Sequence, residues 1–491
     1  MPNFVLNVFR FHNLVIMIKL KEVIKQLDEN NYLEIEGNLI KNKADRFLFL
    51  LHSYKKSNIS DKEIKDKLGI TSNSFYVLKS RLFDKIQDSL SSDVYVDQEK
   101  TIKLLMQIPV LCLNTPRETS IAYLLKLEKE LLRFDMHNEL LVVYSALKKM
   151  HINSDKYYHY SQIYNKQVSF GLSLEKAEEI LGNFCRLLSL YDLSKSEDVY
   201  TKLSFLRGEI KNIFVFCNSR QVELIKNLIE LQFFIFCKED KSNESNIDEL
   251  LQTTRIIFDD LPLTLAYKKW EIVLDYLCFE YYYSIGSNKA TIQYYEKVNV
   301  QLSNFLLFNH IGLVSKFLIT KIKFCSEFNR LDEISEIIDT DKILIDSNDI
   351  HTKISIPVYN SLFYFYQKKY KIAIDYLNEI QNEFVLKDYF YEFLNIKITL
   401  LYFYIVVGEF EKAQAQIKML SRRIKMENDE RYNHVIYLLK GFDSEINKNT
   451  SLKNNTKKRD LFILFNANNK ANTNLEVVPH LIADLKKMFQ I

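Results

Sequence analysis

Between Thr71 and Lys85 the sequence gathers hydroxyl and amide groups (Thr71, Ser72, Asn73, Ser80), a phenol (Tyr76), an apolar Val77 and three cations (Lys79, Arg81, Lys85). Such side chains donate and accept hydrogen bonds and neutralise anions, and none is a nucleophile paired with a base. Local charge points the same way. Residues 41–90 hold eleven Lys or Arg against six Asp or Glu, an excess of five, while the whole 491-residue chain carries only +3. The rest is therefore slightly acidic, and the basic concentration fits a phosphate backbone.

No arrangement for bond-making chemistry occurs elsewhere. The nine histidines show neither H-E-x-x-H nor H-x-H spacing, and His151 and His159 read as ordinary side chains of a Tyr-rich stretch. No G-x-x-x-x-G-K, G-x-G-x-x-G or G-x-S-x-G is present, so no phosphate-cradling loop or nucleophile elbow of known type is expected. Glu178-Glu179 and Asp259-Asp260 are adjacent residues that a helix aims to different sides. A non-enzyme without metal or cofactor is expected.

The elements that must position residues 71–85 have a pattern of their own. Counted from Asp61, apolar residues occupy places four, eight, ten, fifteen and eighteen: Ile64, Leu68, Ile70, Phe75 and Leu78. Gly69, one of only nine glycines, sits at place nine, where a turn between two helices needs positive φ. Ser60 and Glu63 read as a capping box for the first helix, and Thr71 or Ser72 as the cap of the second. At place five stands Lys65, where a small residue is usual for a tight helix crossing.

This run resembles the tri-helical helix-turn-helix domains of bacterial transcription proteins. Val77-Leu78-Lys79-Ser80-Arg81-Leu82 is similar to the recognition helix of region four of sigma factors and of response-regulator output domains. The resemblance covers about 50 residues and implies binding to double-stranded DNA, with the second helix in the major groove. Thr71, Ser72, Asn73, Tyr76, Val77 and Ser80 are then expected to face base edges, with Asn73 able to pair bidentately with adenine. Lys79, Arg81 and Lys85 are expected on phosphates.

Behind this module the composition demands helices. Nine Gly and six Pro in 491 residues leave little for sheet turns or loops. The expected fold class is all-α: a helix-turn-helix module over 17–92 with a leading helix at 17–29 and a polar link at Gly37, then helix hairpins over 93–447. A polar linker is expected at 448–460 and a capping segment at 461–491, with its helix at about 475–490. Thr115-Pro116-Arg117-Glu118 reads as a helix start capped by Thr115.

Two stretches repeat with an offset of 40: Tyr364, Tyr370, Ala373, Leu377, Ile380, and Tyr404, Phe410, Ala413, Ile417, Leu420. A weaker copy carries Cys325, Leu331 and Ile334. An aromatic late in one helix, another after the turn and a small residue three places on let two helices close on each other. These segments resemble tetratricopeptide units, although that family's period is roughly 34. The resemblance implies an α-solenoid whose concave face takes a peptide or protein.

Residues 1–16 are apolar, too short to span a bilayer and unlike a signal peptide, and Met17 reads as an ordinary start. The six cysteines form no C-x-x-C pair and read as buried free thiols of a reducing cytoplasm. No membrane partner is expected, and self-association into a homodimer fits the array. The sequence thus leads to a cytoplasmic DNA-binding transcriptional regulator whose repeats receive a peptide or protein signal. The alternative is a scaffold or adaptor that uses both parts to bind proteins.

Overall fold

The structure is a computed structural model that describes residues 20–21, 24, 27, 29–41, 44–56, 61–92, 98–133, 135–237, 244–260, 265–302, 311–334, 350–383, 389–447, 452–471 and 475. Among them every regular element is a helix and none is a strand, so the chain is all-α. Residues 1–16, the Ser60 capping box and the terminal helix at 475–490 lie outside the described residues, save for Leu475, which is buried. The chain divides into two compact units, residues 1–169 and 170–491. The boundary between them falls inside the continuous helix Lys156–Ser194.

Unit one holds two separate cores. The first is built by α1 (Glu29–Lys41), α2 (Asp45–Lys56), α3 (Asp61–Leu68) and α4 (Ser72–Ser92), together with Leu20, Ile24 and Leu27. Helix α1 replaces the expected link at Gly37. One glycine costs a helix only about 1 kcal/mol, and the burial of Tyr32, Ile35 and Leu39 on one face outweighs it. The second core joins α5 (Gln98–Asn114), α6 (Arg117–Arg133) and α7 (His137–Met150) through Leu105, Ile108, Leu124, Leu131, Leu140 and Leu147. Thr115 does not cap α6 as expected. Its hydroxyl turns back to the Leu111 carbonyl at 2.7 Å, and the Pro116 carbonyl accepts the Ser120 amide at 3.0 Å instead.

Unit two carries one extended core, rich in rings. Phe279 is fully buried, with Tyr283, Tyr295, Phe317 and Phe324 rings 5.7–6.0 Å from its centroid. The abundance of tyrosine has a physical reason: the ring fills the core while the hydroxyl reaches an acid at its edge. Tyr295 donates to Glu333 and Tyr283 to Glu327, both at 2.8 Å, and Tyr281 and Tyr282 donate to Asp248 at 3.0 Å. Successive helices pack mainly on their neighbours in sequence, including Ile350–Tyr366 with Tyr370–Glu383 and Phe390–Val407 with Phe410–Glu427. Ala373, Ala413, Leu377 and Leu420 are fully buried in these hairpins. Helix Phe390–Val407 is long and apolar enough to cross a membrane, but most of it is buried within this core.

The turns share one hydrogen-bond pattern. After Tyr364 the Lys369 amide returns to the Tyr364 carbonyl at 2.9 Å, with Lys368 at φ +60. Forty residues on, Glu409 returns to Tyr404 at 2.9 Å with Gly408 at φ +85. Arg330 returns to Cys325 at 2.8 Å with Asn329 at φ +55, and Ser287 to Tyr282 at 2.9 Å with Gly286 at φ +75. In unit one Met136 returns to Leu131 and Ile70 to Lys65, about Asp135 and Gly69. Each is a Schellman closure, which satisfies carbonyls that a helix end leaves open.

Residues 448–460 read as a linker, yet Leu452–Ala471 is one helix. Phe462 and Phe465 bury its inner face, Lys458 donates to Glu445 at 2.8 Å, and Asn469 accepts from the Leu475 amide at 3.0 Å. Tertiary contact thus overrides an Asn- and Lys-rich composition.

Gly312 marks a close approach. A Cβ built there lies 2.9 Å from the Ser189 Cβ of helix Lys156–Ser194 and still nearer its Oγ. Rotation of Ser189 can move the Oγ but not the Cβ. Gly312→Ala is expected to lower the stability of unit two by about 1–3 kcal/mol, and adding Ser189→Gly, which removes the clash but itself costs a helix about 1 kcal/mol, should recover part of it. Thermal denaturation of both variants checks this, and an unshifted single variant contradicts the close packing.

Candidate nucleic-acid interface

Helix α4 begins with a local cap. Thr71 Oγ1 accepts the Ser74 amide at 3.3 Å, and the Thr71 carbonyl accepts the Phe75 amide at 2.9 Å. Gly69 at φ +60 turns the chain between α3 and α4. Phe75, Leu78, Leu82 and Ile86 then face the core, which fixes the opposite side of α4 outward. Lys65, the unexpected residue at the helix crossing, reaches sideways and donates to Ser72 Oγ at 3.3 Å.

The outward side holds most of the residues singled out from the sequence. Thr71, Ser72 and Asn73 are exposed at the N-terminus of α4, Val77 is 45% exposed, and Arg81 and Lys85 are exposed further along. Tyr76 and Ser80 are half-buried at its flanks. Asn73, Val77, Arg81 and Lys85 recur every fourth residue, so they form one stripe about 18 Å long. Ser74 belongs with the exposed first turn and was missed, although it sits beside Ser72 and Asn73. Lys62 and Lys67 on α3 are exposed as well, and only the charge count signalled them.

Lys79 is the exception: it is not at the surface to meet a phosphate. The residue is 4% exposed, and its Nζ donates to Asp61 Oδ2 at 3.0 Å. The same Nζ lies over the Tyr54 and Phe75 rings, 5.5 and 5.6 Å from their centroids. Tyr54 donates to Asp61 Oδ1 at 2.7 Å. Burial works against the ionised Asp61, but the hydrogen bonds from Tyr54 and Lys79 prevail and hold it below the usual carboxylate range. This knot pins α4 to α2 and α3, so Lys79 positions the outward stripe.

Lys79→Met keeps the apolar stem and removes the charge. Because Asp61 is 43% exposed, water takes over part of the pairing, and a loss of about 1–2 kcal/mol is expected. Urea denaturation reads it, and an unchanged midpoint contradicts the positioning role.

His151 is buried against Tyr160, with ring centroids 5.2 Å apart, and Arg117 Nη2 lies 3.1 Å from its Nδ1. Among the described residues no group of three or more His, Cys, Asp or Glu could hold a metal. Five free thiols are buried and Cys112 is half-buried; burial pushes Cys185 and Cys278 up to about 12, which keeps them unreactive. Neither family models, curated proteins nor solved structures give a match to this chain.

Proposed function

We propose that the chain is a DNA-binding transcriptional regulator of the cytoplasm. Its N-terminal helices act as a helix-turn-helix module, and the later hairpins form an α-solenoid that takes a peptide or protein signal. The observation that carries this reading is the outward side of α4. A polar first turn and an every-fourth-residue stripe ending in Arg81 and Lys85 stay exposed while the opposite face is consumed by the core. A stripe of this length suits the floor of a major groove, and cations along its edge suit the phosphates. The recurring turns with matching burial at Ala373 and Ala413 support the repeat array.

The base-facing set is Thr71, Ser72, Asn73, Tyr76, Val77 and Ser80. The phosphate set is Arg81 and Lys85, with Lys79 removed from it. Asn73→Ala is expected to relax sequence preference at one base pair, by about 1–3 kcal/mol of discrimination. Selection of bound genomic fragments, repeated with the variant, measures this. Retention of DNA that does not weaken as salt rises, or no retention at all, rejects the reading and favours a scaffold that binds protein through the same face.

A further inference from the structure

Among the described residues, one apolar side of α5 is left exposed. Its inner side sends Leu105 and Ile108 into the second core of unit one. On the other side Ile102 is 37%, Met106 76%, Val110 58% and Leu113 84% exposed, and Pro109 is exposed among them. These four large side chains lie on one helix, and the patch matches the size that marks an interaction surface rather than scattered surface residues.

We propose that this stripe joins two copies of the chain, with the α5 helices antiparallel about a two-fold axis. Spacing identifies the occupant. The positions 102, 106, 109 and 113 advance by steps of four, three and four, which read the same in either direction. In an antiparallel pair Ile102 therefore faces Leu113 of the other copy and Met106 faces Pro109, with Val110 at the flank. A two-fold contact requires this kind of self-complementary patch. No charge lies on the stripe to select a partner of opposite sign, and Lys103 and Gln107 stay at its edge. Area agrees. The four side chains expose on the order of 500 Å² per copy, so mutual burial reaches on the order of 1,000 Å², the lower bound of specific interfaces and the range of a reversible dimer. The inference is independent of DNA binding, since no residue of α4 enters it.

Sedimentation of the 491-residue chain over a concentration series tests the proposal. A reversible monomer–dimer equilibrium is expected, and Met106→Lys should weaken it at least about tenfold with helix content unchanged. Cysteine pairs read the register. In a Cys112→Ser background, Ile102→Cys mixed with Leu113→Cys should give a disulfide-linked dimer under oxidation, whereas neither variant should link to itself. A wild-type chain that stays monomeric throughout overturns the proposal, including the case in which residues 1–16 or another protein cover the stripe. So does a dimer that Met106→Lys leaves intact, or one in which Ile102→Cys links to itself, since that orientation is parallel.

Discussion

Replacing Asp192 with alanine is expected to destabilise unit two by about 3–5 kcal/mol, one of the two largest effects anticipated for this chain. Asp192 accepts from Lys195 Nζ and from Lys316 Nζ through Oδ1, and its Oδ2 lies 3.0 Å from His351 Nε2. The side chains of all four residues are no more than 15% exposed. Alanine removes the carboxylate that two buried ammonium groups share, and the rings near them (Tyr191 and Tyr391 for Lys195, Phe236 for Lys316) offset only part of the loss. Burial opposes ionisation of Asp192, but Lys195, Lys316 and His351 hold it well below the usual carboxylate range. Its folded pKa is therefore lower than its unfolded value of about 4, so the contribution is complete above that value and fades as pH falls toward the folded one. Urea denaturation at neutral and acidic pH compares wild type with Asp192→Asn. The asparagine variant should lose less stability on acidification. Equal losses, or an alanine variant within about 1 kcal/mol of wild type, contradict the role of this cluster.

The second large effect is expected on the proposed binding to DNA. Arg81→Glu with Lys85→Glu reverses two cations at the end of the α4 stripe, both exposed and outside the apolar core. Loss of two charge-assisted contacts, each worth about 1.5 kcal/mol or more, predicts at least about 100-fold weaker binding to every sequence. The slope of log affinity against log salt should fall by about 2. Stability should stay near wild type, which separates this variant from Lys79→Met. Fluorescence anisotropy on a duplex at several salt concentrations measures both quantities, and an unchanged slope rules out these two residues as phosphate contacts.

Much of the fold is legible where the information is local. The bounds of α3, the start of α4, the positive φ at Gly69 and the hairpins at 350–383 and 390–427 follow from apolar period, turn chemistry and cap residues within a few positions of each other. What escaped depends on distant partners. Lys79 looks like a surface cation because its anion lies on another helix, eighteen residues earlier. Residues 452–460 look solvated because the surface that buries Lys458 belongs to helix Val435–Ile446. The Asp192 cluster has no local pattern at all: Lys316 is 124 residues away and His351 is 159. For the interface, the sequence indicated which side chains can hydrogen-bond. It did not separate the face that points out from the one that pins the helix.

The closures at Asn329, Lys368 and Gly408 bear on how the protein is made. Each is latched by atoms from one six-residue window, so it can form as soon as that window leaves the ribosome. Asp192 must instead wait for His351. At a synthesis rate of about 5–20 residues per second, that interval is on the order of ten seconds. During it the closures at Gly286 and Asn329 can already form while the ionic keystone is still missing, whereas those at Lys368 and Gly408 follow His351 off the ribosome.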